Sequence, residues 1–390
     1  MRNTANQAVI ERLAKKFGQF SKQVSLEALA AARRSFLRQD DRRGRIASTV
    51  LPVALLLFVS CVLPLQAMGF GVRAESAELP SNWTVEAYGD NTQNIIPRAI
   101  NNNGVAVAQL QTAAGYFPVQ LSGGQIVTLG DGATQGFPAA INDDGEIVGT
   151  NFNPDGGTVA VTYAPGAYTE LNSGAAWDID SSGTIVGSVN NVPAYWPNGE
   201  APLALPALIE GQVAQVFAIN ANGWMVGDAV GPHWASGDLL ADHAVLWRDG
   251  QIIDLGSVVP GLTIAIDVND AGTIIGETIV ATDDTTEQSN KNYASFTWQD
   301  GTLSPLPFAD GDTSCEVYAI NNLGWIAGDC GVGQEQHAVL WVDGEIVEVD
   351  TLLGEGWKSI VATGVNDNGQ ITGQGFLNGV VVAFVLTPDE

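Results

Sequence analysis

The feature that most constrains the fold is a short motif that recurs seven times along the chain. It consists of an apolar residue, Asn or Asp, two variable residues and Gly. Its Asn or Asp stands at Asn101, Asn142, Asp180, Asn220, Asn269, Asn321 and Asn366. Such a side chain accepts a hydrogen bond from its own backbone two residues on, and Gly supplies a positive φ. Because apolar runs rich in Ile and Val flank the motif, each copy predicts a tight turn between two strands.

Further strands follow in each repeat unit. The most legible third strands are residues 243–247 and 337–341, which both read as His-Ala-Val-Leu-Trp. Tight turns come next, at Asp249-Gly250, Asp300-Gly301, Asp343-Gly344 and Asn198-Gly199. Asp-Gly and Asn-Gly are strong hairpin signals, so a fourth strand is expected after them. Six units also have a second Gly four residues after the first, where the first unit has Ala108.

Four antiparallel strands per unit, repeated every 38 to 52 residues, favour a β-propeller. A solenoid of stacked units is the main alternative. The last unit lacks a fourth strand, whereas residues 85–90 precede the first unit and align with the fourth-strand segment 126–131. This strand would close a ring and leave no open sheet edge. The sequence therefore predicts an all-β, seven-bladed β-propeller over residues 75–390, closed by an N-terminal strand.

Charge divides the chain into a basic start and an acidic body. Residues 1–46 hold eleven Lys and Arg against four acidic residues, and residues 46–72 carry no charge. Residues 75–390 hold 39 of the 43 acidic residues and only four basic ones. We interpret residues 1–46 as a basic, helical or disordered cytoplasmic leader, and residues 47–74 as a signal peptide or transmembrane anchor. The acidic body argues against nucleic-acid binding.

These motifs resemble the HAF family of probable extracellular repeat proteins. The residues that carry the resemblance are the two His-Ala-Val-Leu-Trp strands, the Asn-x-x-Gly hairpins and the stretch Asp249–Gly256. The resemblance covers residues 83–387 and implies a surface or secreted location. It implies no catalytic residues.

Candidate ligand-binding residues lie on the predicted face that carries the long, variable loops. The loops at 228–242 and 277–292 are the largest insertions, and variable loops on a rigid scaffold commonly bind ligands. The exposed aromatic candidates on this face are His233, Trp234 and Trp357. The alternative is that these rings pack over the rim.

Other residue types point to structure more than to chemistry. Asp178 and Asp180 match the first half of a calcium loop, but Val189 stands where the twelfth-position Glu should be. Turn formation explains the same two residues, so no cofactor is predicted, and a calcium ion at Asp178 and Asp180 is the alternative. Cys315 and Cys330 flank the Asn321–Gly324 turn symmetrically, which predicts a disulfide in an oxidising compartment. His243 and His337 occupy equivalent positions, as do the Trp residues that end the third strands, and we expect packing roles for both sets.

The sequence thus predicts an exported, periplasmic, cell-surface or secreted module that binds a protein or a glycan at the cell envelope without catalysis. If the hydrophobic segment is retained, it also anchors the protein in the membrane. The alternative is a propeller enzyme, a polysaccharide lyase or hydrolase, with its site on the long-loop face. No phosphate-binding loop, Gly-x-Ser-x-Gly or His-Glu-x-x-His motif is present.

Overall fold

The computed structural model describes residues 79–90, 92–198, 200–232, 240–259, 261–280, 292–332 and 335–389. The predicted leader and hydrophobic segment lie outside these residues and stay predictions. Over the described part of the chain, no helix is long and apolar enough to cross a membrane. Its secondary structure is almost entirely β, apart from the four-residue helix α1, Asp350–Leu353.

The described strands form antiparallel sheets in which consecutive strands are neighbours, five of them four-stranded and one seven-stranded. The first strand among the described residues is β1 (Trp83–Tyr88). The next sheet holds β2 (Asn94–Ile100), β3 (Ala106–Thr112), β4 (Gly115–Ser122) and β5 (Gln125–Thr128). The seven-stranded sheet holds β6 (Gly136–Ile141), β7 (Ile147–Phe152), β8 (Thr158–Ala164), β9 (Ala167–Ile179), β10 (Ile185–Val189), β11 (Val192–Trp196) and β12 (Leu203–Ala204).

The second half of the chain repeats the four-stranded pattern. One sheet holds β13 (Ala214–Ile219), β14 (Met225–Pro232), β15 (Leu240–Arg248) and β16 (Gln251–Asp254). The next holds β17 (Leu262–Val268), β18 (Ile274–Val280), β19 (Asn292–Gln299) and β20 (Thr302–Pro305). It is followed by β21 (Ser314–Ile320), β22 (Ile326–Val332), β23 (Glu335–Val342) and β24 (Glu345–Glu348). The last strands are β25 (Trp357–Val365), β26 (Ile371–Leu377) and β27 (Val380–Pro388).

The long strand β9 joins two units. Its first part pairs with β8, up to Ser173 opposite Val159, and its second part pairs with β10, from Gly174 opposite Val189. The seven-stranded sheet is therefore two four-stranded meanders that share one strand, the fourth of one and the first of the next.

The first strand completes the last sheet. β1 pairs antiparallel with β27, from Trp83 opposite Pro388 to Tyr88 opposite Ala383. The prediction that the N-terminal strand supplies the strand missing from the last unit is confirmed. This pairing covers the edge that β27 would otherwise leave exposed.

The tight turns have the backbone that the sequence predicts. Every motif Gly has a positive φ, between 73° and 82°, and its N–H donates to the carbonyl of the motif Asn or Asp. At Asp249-Gly250, φ is 54° and 73°, and Asp300 and Asp343 are also left-handed. These dihedrals are those of the hairpin turns whose twist matches the flanking strands.

The core lies between neighbouring sheets. Among the described residues, buried apolar side chains fall into seven clusters, each formed by two successive units; one of them lies within the seven-stranded sheet, between its two meanders. The Trp residues that end the third strands are buried in these clusters or beside them, which confirms their predicted packing role: Trp196, Trp247, Trp298 and Trp341. The first strand of each unit is here called an inner strand. The seven inner strands line a central channel: β2, β6, β9, β13, β17, β21 and β25.

Candidate functional site

The motif side chains link the seven turns into a ring. The side-chain amide of each motif Asn donates to the backbone carbonyl of the motif residue in the next unit, over 2.7 to 3.2 Å. The ring closes where Asn366 donates to the carbonyl of Asn101, 265 residues away in sequence. One link is missing, between Asp180 and Asn220, because Asp180 has no amide to donate.

A cavity of about 300 Å³ lies inside this ring, here called the turn-side cavity. It is lined by the motif residues together with the apolar residue before and the residue after each of them. The seven apolar residues are all Ile or Val and form a collar across the channel: Ile100, Ile141, Ile179, Ile219, Val268, Ile320 and Val365.

Each inner strand contains a register shift three residues before the motif residue. Such a β-bulge leaves one residue unpaired and redirects its side chain. The residue before it is buried in all seven units, whereas the bulged residue is at least partly exposed in all seven. The bulged residues are Arg98, Ala139, Trp177, Phe217, Ile266, Tyr318 and Thr363.

The second Gly of the motif explains how the bulge fits. In the six units that have it, a Cβ atom at this Gly would lie 1.9 to 2.4 Å from a backbone carbonyl oxygen of the bulged inner strand. In the fourth unit, for example, a Cβ at Gly227 would lie 1.9 Å from the oxygen of Gln215. The repeated Gly therefore marks a close approach of two backbones, which a side chain would prevent.

The bulged residues converge on a second cavity of about 240 Å³, here called the bulge cavity. All seven line it, and it shares Ile100, Ile141, Ile320 and Val365 with the turn-side cavity. The two cavities are therefore adjacent along the inner strands, with the aliphatic collar between them. The bulge cavity lies on the side where the inner strands begin, which is also the side where β14 ends and β15 begins.

One wall of the bulge cavity is aromatic and ends in a cation. Trp177 stacks on Phe137 of the preceding unit with ring centroids 5.9 Å apart. The guanidinium of Arg98 lies over the same Phe137 ring, 5.8 Å from its centroid. Phe217 continues this wall in the next unit along the chain. Flat apolar rings beside a polar group offer a stacking surface of the kind that sugars use.

Tyr318, which lines the bulge cavity, contacts a group of acidic residues outside the cavity lining. The hydroxyl of Tyr318 lies 3.3 Å from Oε2 of Glu316 and also forms a hydrogen bond with Asp329. Burial raises the pKa of Asp329 to about 7, and burial raises the pKa of Glu277 to about 8. The backbone N–H of Val317 donates to Oε1 of Glu277 at 2.8 Å, which ties the fifth and sixth units together.

Two carboxyl groups line the bulge cavity itself. Asp178 accepts the N–H groups of Ile179 and Ile219, both at 2.8 Å. Asp267 accepts the equivalent groups of Val268 and Ile320, at 2.7 and 2.9 Å. Burial, with the charge of Asp267 added, raises the pKa of Asp178 to about 8, and burial raises that of Asp267 to about 6. Both groups face the channel yet lie deep in the fold, so little water solvates their charges.

The sequence candidates do not form a common site. His233 and Trp234 lie outside the described residues. Trp357 begins β25 and packs edge-on against Phe384, with ring centroids 5.8 Å apart, so it is half-buried against its own sheet. Its ring is thus held by packing and does not line the bulge cavity.

The two residues of the calcium hypothesis line different cavities, Asp178 the bulge cavity and Asp180 the turn-side cavity. Oδ1 of Asp180 accepts the N–H groups of Ser182 and Thr184, both at 2.8 Å. The described residues contain no group of three or more His, Cys, Asp or Glu placed to hold a metal ion. The geometry therefore gives Asp178 and Asp180 separate structural roles.

Cys315 and Cys330 form a disulfide, with Cα atoms 4.1 Å apart on paired strands. His243 is buried, and its Nδ1 and Nε2 atoms each lie 2.9 Å from an oxygen, of Asp254 and Pro232 respectively. His337 lies 3.4 Å from carboxylate oxygens of Asp312 and Glu348. These contacts fit the packing role expected for the repeated histidines.

Comparison with known proteins establishes the fold class. No protein-family model and no curated protein sequence matches the chain. Among solved structures, it is similar to the β-propeller domain of the Trilobed protease from Pyrococcus furiosus, with a TM-score of 0.53 and 10% identity, over 77% of this chain and 95% of that one. Virginiamycin B lyase from Staphylococcus aureus gives a TM-score of 0.48 at 10% identity, over 78% and 99% of the two chains. The chain has a β-propeller fold; the identity is too low to say more.

Proposed function

We propose that this protein is an exported, non-enzymatic binding module whose ligand, a glycan, occupies the bulge cavity. The observation that carries the proposal is the contrast between repeated and variable positions. The motif residue and both glycines recur from unit to unit, whereas the seven bulged residues differ in size, polarity and charge. A rigid scaffold that presents varied side chains to one cavity is the usual architecture of a ligand site.

The proposal includes the architecture and location that the sequence predicts. Counting the seven-stranded sheet as two meanders gives seven blades, and the motif ring has seven members. The resemblance to HAF proteins, the hydrophobic segment 47–74 and the Cys315–Cys330 disulfide all support export. On this proposal the module binds outside the cytoplasm, either released or held at the membrane.

A glycan fits the cavity better than a protein surface does. A volume of about 240 Å³ is close to the lower end of small-ligand pockets, so it suits one sugar ring or the end of a chain. Trp177 and Phe217 offer stacking faces, while Arg98 and Tyr318 offer hydrogen-bonding groups. A protein partner would instead contact the rim formed by the long loops.

The enzyme alternative has one specific observation in its favour. Asp178 and Asp267 line the same cavity, and their raised pKa values of about 8 and about 6 differ, as an acid and a base require. Against it, every oxygen of both carboxyl groups already accepts a backbone N–H. Their present contacts join neighbouring blades, and this favours binding without turnover.

The test is a thermal-shift screen of the purified full-length chain with neutral and acidic oligosaccharides, and with Ca²⁺ and EDTA. A ligand that binds only the folded state raises the unfolding midpoint by mass action. We expect a rise with one class of sugar, and no new reducing ends or unsaturated products on longer incubation. Sugar cleavage would establish the enzyme alternative.

Matched variants locate the site. Trp177→Ala removes a stacking face of the cavity, so it should abolish the sugar-induced rise. Phe308→Ala removes an exposed aromatic side chain that does not line the cavity, and it should leave the rise intact. A screen in which no sugar raises the midpoint, or in which both variants behave alike, would refute the cavity as the binding site.

A further inference from the structure

The cation in the bulge cavity has an unusual environment. Among the residues that the structure describes, Arg98 is the only Lys, Arg or His that lines this cavity. Its Nη2 atom donates to Oε1 of Gln109 at 2.9 Å, and its guanidinium faces the ring of Phe137. None of the ion pairs formed among the described residues includes Arg98.

The lack of an ion pair is unexpected in so acidic a domain. Residues 75–390 hold 39 Asp and Glu against four Lys and Arg, so a carboxylate partner could easily have been supplied. The two carboxyl groups of the cavity, Asp178 and Asp267, bind backbone N–H groups instead. The Arg98 side chain is exposed to the cavity, yet the surrounding protein removes part of its hydration and lowers its pKa, and an arginine keeps its charge in proteins. The guanidinium therefore retains donors that no carboxylate among the described residues satisfies.

Gln109 fixes the direction of the guanidinium without neutralising it. It is a buried residue on β3, next to the inner strand that carries Arg98. A neutral amide accepts one N–H and leaves the rest of the planar fork available. The fork matches the two oxygens of a carboxylate, and such bidentate pairs are among the stronger hydrogen-bonded contacts.

We propose that the ligand of the bulge cavity carries a carboxylate next to a sugar ring, so that Arg98 binds the acid group while Trp177 stacks on the ring. This inference rests on the proposed glycan-binding function and adds its ligand class. Arg98 is then the specificity-determining residue for acidic over neutral sugars. Asp178 and Asp267 accept backbone N–H groups. These hydrogen bonds reduce the electrostatic repulsion between the two carboxyl groups and the acid group of the ligand.

The experiment compares three sugars that differ only at C6. Trimers of galacturonic acid, of its methyl ester and of galactose are titrated into the full-length chain by calorimetry. We expect the acid to bind at least tenfold more tightly than the ester or the neutral sugar. Arg98→Gln should remove this difference, and Arg98→Lys should restore part of it.

Arg248→Gln is the matched control, because it makes the same change in charge outside the cavity. Arg248 lies 4.6 Å from the ring centroid of Trp224. The inference is overturned if the acid binds no better than its ester, or if Arg98→Gln and Arg248→Gln have equal effects. If the neutral sugar binds as tightly as the acid and Trp177→Ala abolishes both, this inference alone is overturned. Absence of binding by all three sugars overturns it together with the proposed function.

Discussion

The side chain of Asp178 accepts the backbone N–H of Ile219 in the next unit, over 2.8 Å. This contact bridges the one step of the motif ring that has no amide link, because the motif residue there is Asp180. Among the equivalent residues, four are Ala and one is Gly, and only Asp267 makes a similar contact. The acid at Asp178 thus supplies an inter-unit bond that the motif fails to supply.

The contact predicts unequal effects for two similar substitutions. Asp178→Ala leaves the Ile219 N–H without its partner, and we expect it to lower the free energy of unfolding by about 1–3 kcal/mol. Asp267→Ala should have a smaller effect, since Asn269 still donates to the carbonyl of Asn321 in the same interface. Urea denaturation of the two variants gives the comparison. Equal losses would mean that Asp178 does not compensate for the missing link.

The missing link itself can be restored. Asp180→Asn keeps the oxygen that accepts the N–H groups of Ser182 and Thr184, and adds an amide that can reach the carbonyl of Asn220. By comparison with the other six units, we expect stability to rise by about 0.5–1.5 kcal/mol. The unfolding midpoint in urea is the measurement, with Asp144→Asn, an acid-to-amide change at an exposed turn position, as the control for charge. A loss of stability would contradict the ring as described.

Buried carboxyl groups predict that stability increases as the pH is lowered from about 8.5 to about 5.5. Burial raises the pKa of Glu277 to about 8 and that of Asp228 to about 7. Because the folded-state pKa values exceed those of the unfolded chain, protonation of these carboxyl groups stabilises the folded state. This stabilisation is fully present below about pH 4 and is lost as the pH rises through the folded-state pKa. Between the unfolded-state and folded-state pKa values, each such group raises the free energy of unfolding by about 1.4 kcal/mol for every unit by which the pH falls.

Thermal unfolding at constant ionic strength measures this slope. Glu277→Gln should flatten the profile, whereas Glu345→Gln, at an exposed strand start, should leave it unchanged. A midpoint independent of pH over this range would show that these carboxyl groups are not protonated in the folded state.

The second Gly of the motif predicts a severe backbone clash on substitution. Gly227→Ala places a methyl group 1.9 Å from the carbonyl oxygen of Gln215, so we expect a loss of at least about 2 kcal/mol. Gly301→Ala is the control: it meets no atom within 4 Å but sits at a φ of 85°, which costs about 1–2 kcal/mol. Equal losses in chemical denaturation would show that the inner strand shifts freely to admit a side chain.

The disulfide predicts sensitivity to reduction. It closes a loop with a sequence separation of 15 residues, for which about 3 kcal/mol of stabilisation is expected. Dithiothreitol should therefore lower the unfolding midpoint of the native protein. The double variant Cys315→Ser, Cys330→Ser should show the lower midpoint without reductant and no further change with it. A native midpoint that dithiothreitol leaves unchanged would contradict this expectation.

The turns and strands follow from sequence because their signals are local. An Asn at position 321 and a Gly at position 324 determine one turn through contacts within a few residues. Strand pairing then follows from hairpin geometry, which is how the facing positions of Cys315 and Cys330 could be anticipated. The pairing of β1 with the last sheet could also be predicted from the sequence, because residues 85–90 align with a fourth-strand segment and the last unit lacks a fourth strand.

The bulge cavity was not anticipated because a bulge breaks the alternation of inward and outward side chains. Read as a regular strand, β9 gives no indication that Trp177 lines a cavity. The signal that could have revealed it is the second Gly, which is present in six units and has no role in the turn itself. Arg98 was equally hard to assign, because its neighbours in the cavity come from six other units far away in sequence.

The pairing of β1 with β27 has a consequence for synthesis of the chain. The first strand of the domain emerges from the ribosome about 300 residues before its partner, so it must wait unpaired while every other sheet is made. The ring can close only when residues 380–388 are available. Premature termination just before them therefore yields a chain whose last sheet is incomplete and whose first strand, β1, has no partner, however well the intervening units have folded.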